Sequence, residues 1–195
     1  MSIRVAVLDS GIHPGHPHLG RVAGGFNATA SGVAEDWLDF TGHGTAVAAA
    51  IQDHAPECEL LAVKIFDRAL RTDIDTLERG VRWALAQGAA FINLSLGTTN
   101  DAHKERLQAL VGEGGTWVSA AETEGRVYYP GSLEGVCGVV ADGSLERDVY
   151  VDLGGGRYAA SPYPREIPGV PREKNLHGIS FAVANLTGLF VKRLG

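Results

Sequence analysis

A chain of 195 residues that is 45% hydrophobic carries enough apolar material for one substantial core and too little for two, so a single domain over residues 1–195 is expected. The net charge of -6, with basic residues dispersed among acidic ones, leaves no electrostatic footprint for nucleic acid, and no apolar run approaches the roughly 20 residues that span a bilayer. No targeting segment fits ahead of the apolar run that starts at Val5, and Cys58 and Cys137 do not make a disulfide framework, so a cytoplasmic setting without membrane contact is expected.

In chain order, residues 3–8 form a first apolar strand, and residues 44–53 carry Ala and Val at helical spacing. A second strand covers residues 60–66. The next helix, 75–87, sets Leu77, Val81, Trp83, Ala84 and Leu85 largely on one stripe. After a strand at 91–96, Asn100 is placed to cap a third helix that runs through Val111 and stops at Gly112, Gly114 and Gly115. Strands follow at 117–120 and 136–140, a glycine- and proline-rich loop covers 154–171, and the last helix spans 180–192. Short Val/Ile/Leu strands alternating with helices predict an α/β fold, a doubly wound parallel sheet with helices on both faces.

Three positions stand out chemically. Asp9 follows the first strand directly, at the carboxyl end where open α/β sheets place their sites. His43 lies within Gly42-His43-Gly44-Thr45 at the mouth of an apolar helix, where glycines let other segments approach the imidazole. Ser180 follows Gly178-Ile179 and opens the last helix, where an unpaired backbone N–H can stabilise an oxyanion. The order Asp, His, Ser is that of the subtilisin triad and differs from the chymotrypsin and α/β-hydrolase orders.

The local motifs carry the same resemblance. Residues 5–12, Val-Ala-Val-Leu-Asp-Ser-Gly-Ile, resemble the aspartate motif of the subtilases, the subtilisin-like serine peptidases, and residues 39–45, Asp-Phe-Thr-Gly-His-Gly-Thr, resemble their histidine motif. Gly178-Ile179-Ser180-Phe181-Ala182 is similar to the serine motif, with Ile179, Phe181 and Ala184 replacing the usual Thr, Met and Pro. Leu61 to Ile65 and Ile92 to Gly97 are similar to the central strands of the family.

The resemblance implies a subtilisin-like fold and a serine endopeptidase that works without a cofactor: Ser180 attacks a peptide carbonyl, His43 moves the proton and Asp9 orients His43. Ser95, Leu96 and Gly97 match the segment along which subtilases add substrate as a strand, and Ala121, Glu122 and Tyr128 fall at further substrate-binding positions. Thr123 stands where the family usually supplies an oxyanion-hole asparagine. Tyr128 stands in place of a pocket-floor glycine, which implies a shallow pocket for a small residue before the cut.

An unrestrained general protease is hazardous in cytoplasm, so a narrow-specificity processing enzyme for a precursor peptide is the expected role. The rival is a weak or inactive peptide-binding subunit of a heteromeric protease, with Thr123 marking lost oxyanion stabilisation. Partners are then a peptide or protein substrate and a possible partner subunit. His13, His16 and His18 lack the spacing of a zinc site, Asp36 and Asp39 form no calcium loop, and no metal is assigned. Taken singly, Asp9 reads as a turn former, His43 as a helix-start residue and Ser180 as a cap; the ordered set is what singles them out.

Overall fold

A computed structural model of the chain describes residues 2–29, 33–67, 69 and 71–195, so the first and a few loop residues of the expected 1–195 domain lie outside the described residues. The elements in order are β1 (Arg4–Asp9), β2 (Val22–Asn27), α1 (His43–His54), β3 (Glu59–Lys64), α2 (Ile74–Ala86), β4 (Phe91–Leu94), α3 (Lys104–Val111), β5 (Thr116–Ala120), β6 (Glu122–Thr123), β7 (Arg126–Val127), β8 (Val136–Ala141), β9 (Tyr150–Gly154), β10 (Arg157–Ala160) and α4 (Ile179–Leu194). β6 and β7 form a small hairpin, and the remaining strands make one sheet in the order β2-β3-β1-β4-β5-β8-β10-β9. Every pairing in that sheet is parallel except β9 with β10.

Successive residues of a strand point to opposite faces, and here both faces are apolar. Val5 and Val7 of β1 join Leu60, Ala62 and Val118 in a core shared with Val47 and Ile51 of α1 and Phe181 and Leu186 of α4. Ala6 and Leu8 face the other way, with Leu61, Val63 and Trp117, against Leu77 and Val81 of α2 and Leu107 and Leu110 of α3. The doubly wound sheet with helices on both faces is therefore present.

Three segments depart from the sequence expectation. Residues 154–171 are not all loop: β9 and β10 form a hairpin around Gly154, Gly155 and Gly156, whose φ values of 82°, 61° and 78° are left-handed. The glycine cluster is the turn that closes the sheet edge, and only the proline-rich remainder is loop. β2 escaped notice because Gly24 and Gly25 dilute it; a Cβ on Gly25 would run into the Trp37 ring, so the glycine makes room for the indole. Asn100 caps a single 3-10 turn, Asp101–His103, by accepting the Ala102 N–H, and α3 begins only after it.

The strand order reverses between β1 and β4, β3 lying to one side and β5 to the other, and the crevice at their carboxyl ends is the place for a site. α4 is seated on this point from beneath. Thr187 Oγ1 lies 2.9 Å from Asn93 Oδ1 and 2.8 Å from the Val183 carbonyl, all deep in the core. Asn93 Nδ2 reaches Ser95 Oγ at 3.3 Å, and Ser95 Oγ donates to the Ser180 carbonyl at 3.4 Å. Thr187→Val keeps the shape and strips the hydroxyl, leaving the Asn93 oxygen buried without it; we expect a loss of about 1–3 kcal/mol, read as a lower urea midpoint at unchanged m-value.

Candidate active site

Asp9 ends β1 fully buried, and its Oδ1 accepts the Ser10 N–H at 2.7 Å and meets His43 Nδ1 at 2.8 Å. Its Oδ2 is buried without a hydrogen-bond partner among the described residues. His43 is the first residue of α1, and the chain reaches it through Gly42 in the left-handed region at φ 84°. A Cβ on Gly44 would collide with the Gly11 carbonyl oxygen, so the glycine in this motif is what lets α1 pack onto the end of β1.

Burial alone would lower the His43 pKa. The hydrogen bond and charge of Asp9, with a smaller contribution from the charge of Asp39, outweigh it and hold the imidazole above its ordinary value. Ser10 and Asp39, which the motifs leave without a role, are hydrogen-bonded to each other beside this pair, and Ser10 Oγ also accepts the Gly44 N–H. Their signal was the capping need of α1: Gly42 has no side chain to offer its helix, so a nearby acceptor has to.

Ser180 is the second residue of α4, preceded by Gly178 at φ 145°, whose N–H donates to the Pro162 carbonyl at 2.9 Å. Ser180, His43 and Asp9 line one open cavity of about 250 Å³. Among the described residues no hydrogen bond joins Ser180 to His43, a contact that in serine hydrolases often tightens only when substrate is bound.

The same cavity is lined by Ser95, Leu96, Gly97, Thr123 and Tyr128. Ser95 to Gly97 continue from β4 beyond its last ladder residue; the Leu96 carbonyl accepts Ser119 Oγ at 3.2 Å, and Thr98 then pairs antiparallel with Tyr129. Tyr128 lies against Gly97, with its Cδ1 3.1 Å from where a Cβ would stand. Thr123 pairs with Arg126 across a turn in which Glu124 and Gly125 are both left-handed, at φ 52° and 73°, the form of a two-residue type I′ hairpin.

Two of the expected substrate-binding residues are placed elsewhere. Ala121 is buried with its backbone committed: its N–H donates to the Val139 carbonyl, and its carbonyl accepts from Tyr128 N–H and Ser132 Oγ. The Glu122 carboxylate pairs with Arg157 of β10 at 2.9 Å and borders a separate depression, because alternation along the short β6 strand turns it away from the cavity that Thr123 lines.

His13, His16 and His18 border a neighbouring cavity of about 640 Å³ beside the start of α1. Among the described residues no group of three His, Cys, Asp or Glu side chains is placed to hold a metal ion. Cys58 is buried with its thiol pushed up to about 12 by desolvation, which keeps it a small apolar residue rather than a nucleophile. Trp83 of α2 stacks on Phe26 of β2 at 5.4 Å, a packing role.

Because Asp9 is the main partner holding the proton on His43 against desolvation, Asp9→Asn should lower the imidazole titration midpoint. Proton NMR of the His43 ring across pH checks this, and a midpoint equal to that of the unaltered chain would refute the assignment.

Comparison with known proteins agrees with this geometry. The model of the subtilase family (Peptidase_S8) matches residues 2–149, a span that includes Asp9 and His43 and stops short of Ser180. The thermostable alkaline protease of Halalkalibacterium halodurans is 35% identical over 211 residues, covering 95% of this chain and 55% of that protein. The minor extracellular protease Epr of Bacillus subtilis is 33% identical over 72% of this chain and 23% of its own length, and an intracellular serine protease of Paenibacillus polymyxa is 36% identical over 51% of this chain and 34% of its own. The chain thus spans about half, or less, of the length of these relatives. The solved structure of sphericase superposes with a TM-score of 0.74 at 22% identity, covering 98% of this chain and 76% of that one, which establishes the shared fold. With the family model matching most of the chain and a 35% identical relative spanning nearly all of it, this chain belongs to the subtilase family.

Proposed function

We propose that the chain is a serine endopeptidase, acting as one domain, in which Asp9, His43 and Ser180 are the catalytic triad. The observation that carries this is the buried Asp9 Oδ1 to His43 Nδ1 contact of 2.8 Å at the wall of a cavity that Ser180 also lines. With Nδ1 committed to Asp9, Nε2 is the nitrogen left to take the serine proton as Ser180 Oγ bonds to the scissile carbonyl carbon and to return it to the departing amine. Water then enters by the same route in reverse and frees the acid product. Asp9 stabilises the imidazolium formed in between.

The developing oxyanion faces two sources of stabilisation in this reading. One is the N-terminus of α4, where the Phe181 and Ala182 N–H groups turn back to the Gly178 carbonyl and those of Ile179 and Ser180 are left for it. The other is Thr123, whose hydroxyl is a shorter reach than the amide of an asparagine, and loss of such a donor costs about 3 kcal/mol of transition-state stabilisation. The substrate strand would lie along Ser95 to Gly97, with Tyr128 over Gly97 limiting the depth available to the residue before the cut.

A narrow-range role in processing a precursor peptide inside the cell follows from the restricted pocket, and the name of the Paenibacillus polymyxa relative is compatible with that compartment, while Epr is named as extracellular. Among the described residues no helix is long and apolar enough to cross a membrane. Thr123 also supports a second reading, a peptide-binding subunit whose catalysis has weakened and whose partner chain does the cutting.

A fluorophosphonate probe separates the two. Labelling of the unaltered chain that vanishes in Ser180→Ala is the expected result; absence of labelling in a folded chain points to the binding subunit. Peptide libraries read by mass spectrometry should show cuts after Gly or Ala at least about tenfold more often than after Phe or Leu, about 1.4 kcal/mol of discrimination, and the opposite preference would remove Tyr128 as the pocket floor.

A further inference from the structure

Asp39 takes no part in the reaction described above, yet its carboxylate is buried and saturated with donors. Oδ1 accepts from the Ser10 hydroxyl at 2.9 Å, from the N–H groups of Thr41 and Gly42 at 2.9 Å each, and from the Thr41 hydroxyl at 3.1 Å. Oδ2 accepts from the N–H and hydroxyl of Thr45 at 2.9 and 2.7 Å. The Ser10 hydroxyl in turn accepts the Gly44 N–H at 3.0 Å. One carboxylate therefore ties the residue after Asp9 to the residue after His43, and it caps the helix that His43 begins.

We infer that Asp39 is a positioning residue for the Asp9–His43 pair: it fixes the spacing of the two chain segments that carry them and sets a second negative charge near the imidazole. The inference rests on reading His43 as the general base, but the arrangement is tested independently of turnover.

An isosteric amide cannot replace this carboxylate. Each oxygen accepts at least one backbone N–H, so the NH2 of an asparagine would be set against an N–H group whichever way it turned. Burial pushes the Asp39 pKa up, but the hydroxyl and N–H of Thr45 and the N–H groups of Gly42 and Thr41 outweigh it and hold the carboxyl below its ordinary value, so the charge is present wherever His43 titrates. Around His43 the other facing groups are Asp9 from β1, the Phe181 ring from α4 at 5.9 Å and Tyr128 across the cavity. Around Asp39 they are His13, whose N–H donates to Thr45 Oγ1, with His16, His18 and Arg165 along the adjoining cavity.

The experiment is an NMR titration of the His43 ring in the unaltered chain, in Asp39→Asn and in Asp9→Asn, together with the rate of fluorophosphonate labelling at Ser180. Asp39→Asn should lower the His43 midpoint, less than Asp9→Asn does, and slow labelling by about tenfold or more through misplacement of the base. A folded Asp39→Asn chain whose His43 midpoint is unmoved overturns the inference. Should that variant fail to fold, Ser10→Ala serves instead: it removes the bridge to Gly44 while keeping the charge, and labelling as fast as in the unaltered chain overturns the positioning role. If the unaltered chain does not label at all, the peptidase reading fails, and the titration alone still decides for or against Asp39.

Discussion

A single buried contact, Asp9 Oδ1 to His43 Nδ1, sets the demands that the surrounding structure meets. A carboxylate with no exposed surface is costly unless its charge is answered, and here an imidazole and one backbone N–H answer one oxygen only. The contact is possible because β1 delivers Asp9 at the switch point of the sheet while α1 begins beside it, and because Gly44 has no Cβ to strike the Gly11 carbonyl, while Gly11 itself leaves room for the backbone of residues 37–39. The pair is thus a property of the strand–helix junction, and a shift of either segment dissolves it.

Ser180, the proposed nucleophile, arrives from the opposite end of the sequence. α4 packs its apolar face against α1 and the sheet, and the Thr187, Asn93 and Ser95 contacts bind it to the strand next to β1. Ser180 sits at its N-terminal end, where Ile179 and Ser180 line the cavity. One helix therefore positions Ser180 and the other positions His43, which in the proposed triad are the nucleophile and the base. The sheet supplies the rigid distance between them.

Much of this was legible in the chain because the relevant signals are local. Strands buried on both faces read as unbroken apolar runs, and β1, β3, β4, β5 and β8 were all visible that way. β2, β9 and β10 were not, since glycine at 24, 25 and 154–156 weakens the strand signal exactly where packing on Trp37 or a hairpin turn requires it, and a sheet edge asks less of its side chains. Asp9, His43 and Ser180 were readable from order and motif, and they do line one cavity. The placement of Glu122 beside a separate depression was not legible, because the family pattern gives position along the chain but not the face of a two-residue strand, and its ion pair with Arg157 depends on β10, an element the sequence hid. Asp39 was missed because its role exists only through donors brought from Ser10 and Thr45 in three dimensions.

The replacement at Thr123 separates two things that full subtilases combine. In the proposed triad, activation of the serine would depend on Asp9 and His43, which are hydrogen-bonded to each other, and stabilisation of the tetrahedral anion would depend on Thr123, where a short hydroxyl on a tight hairpin stands in place of a longer amide. Glu124 occupies the left-handed region at φ 52°, a conformation that an L-residue other than Gly or Asn adopts at a cost of about 1 kcal/mol, so the hairpin that places Thr123 carries strain. A site built this way reacts with electrophiles that bring their own good leaving group more readily than with an amide, whose anion must be held while a poor leaving group departs. Under the proposed function, slow amide turnover together with a reactive serine would suit an enzyme meeting one dedicated substrate, with binding along Ser95 to Gly97 supplying what the oxyanion site does not.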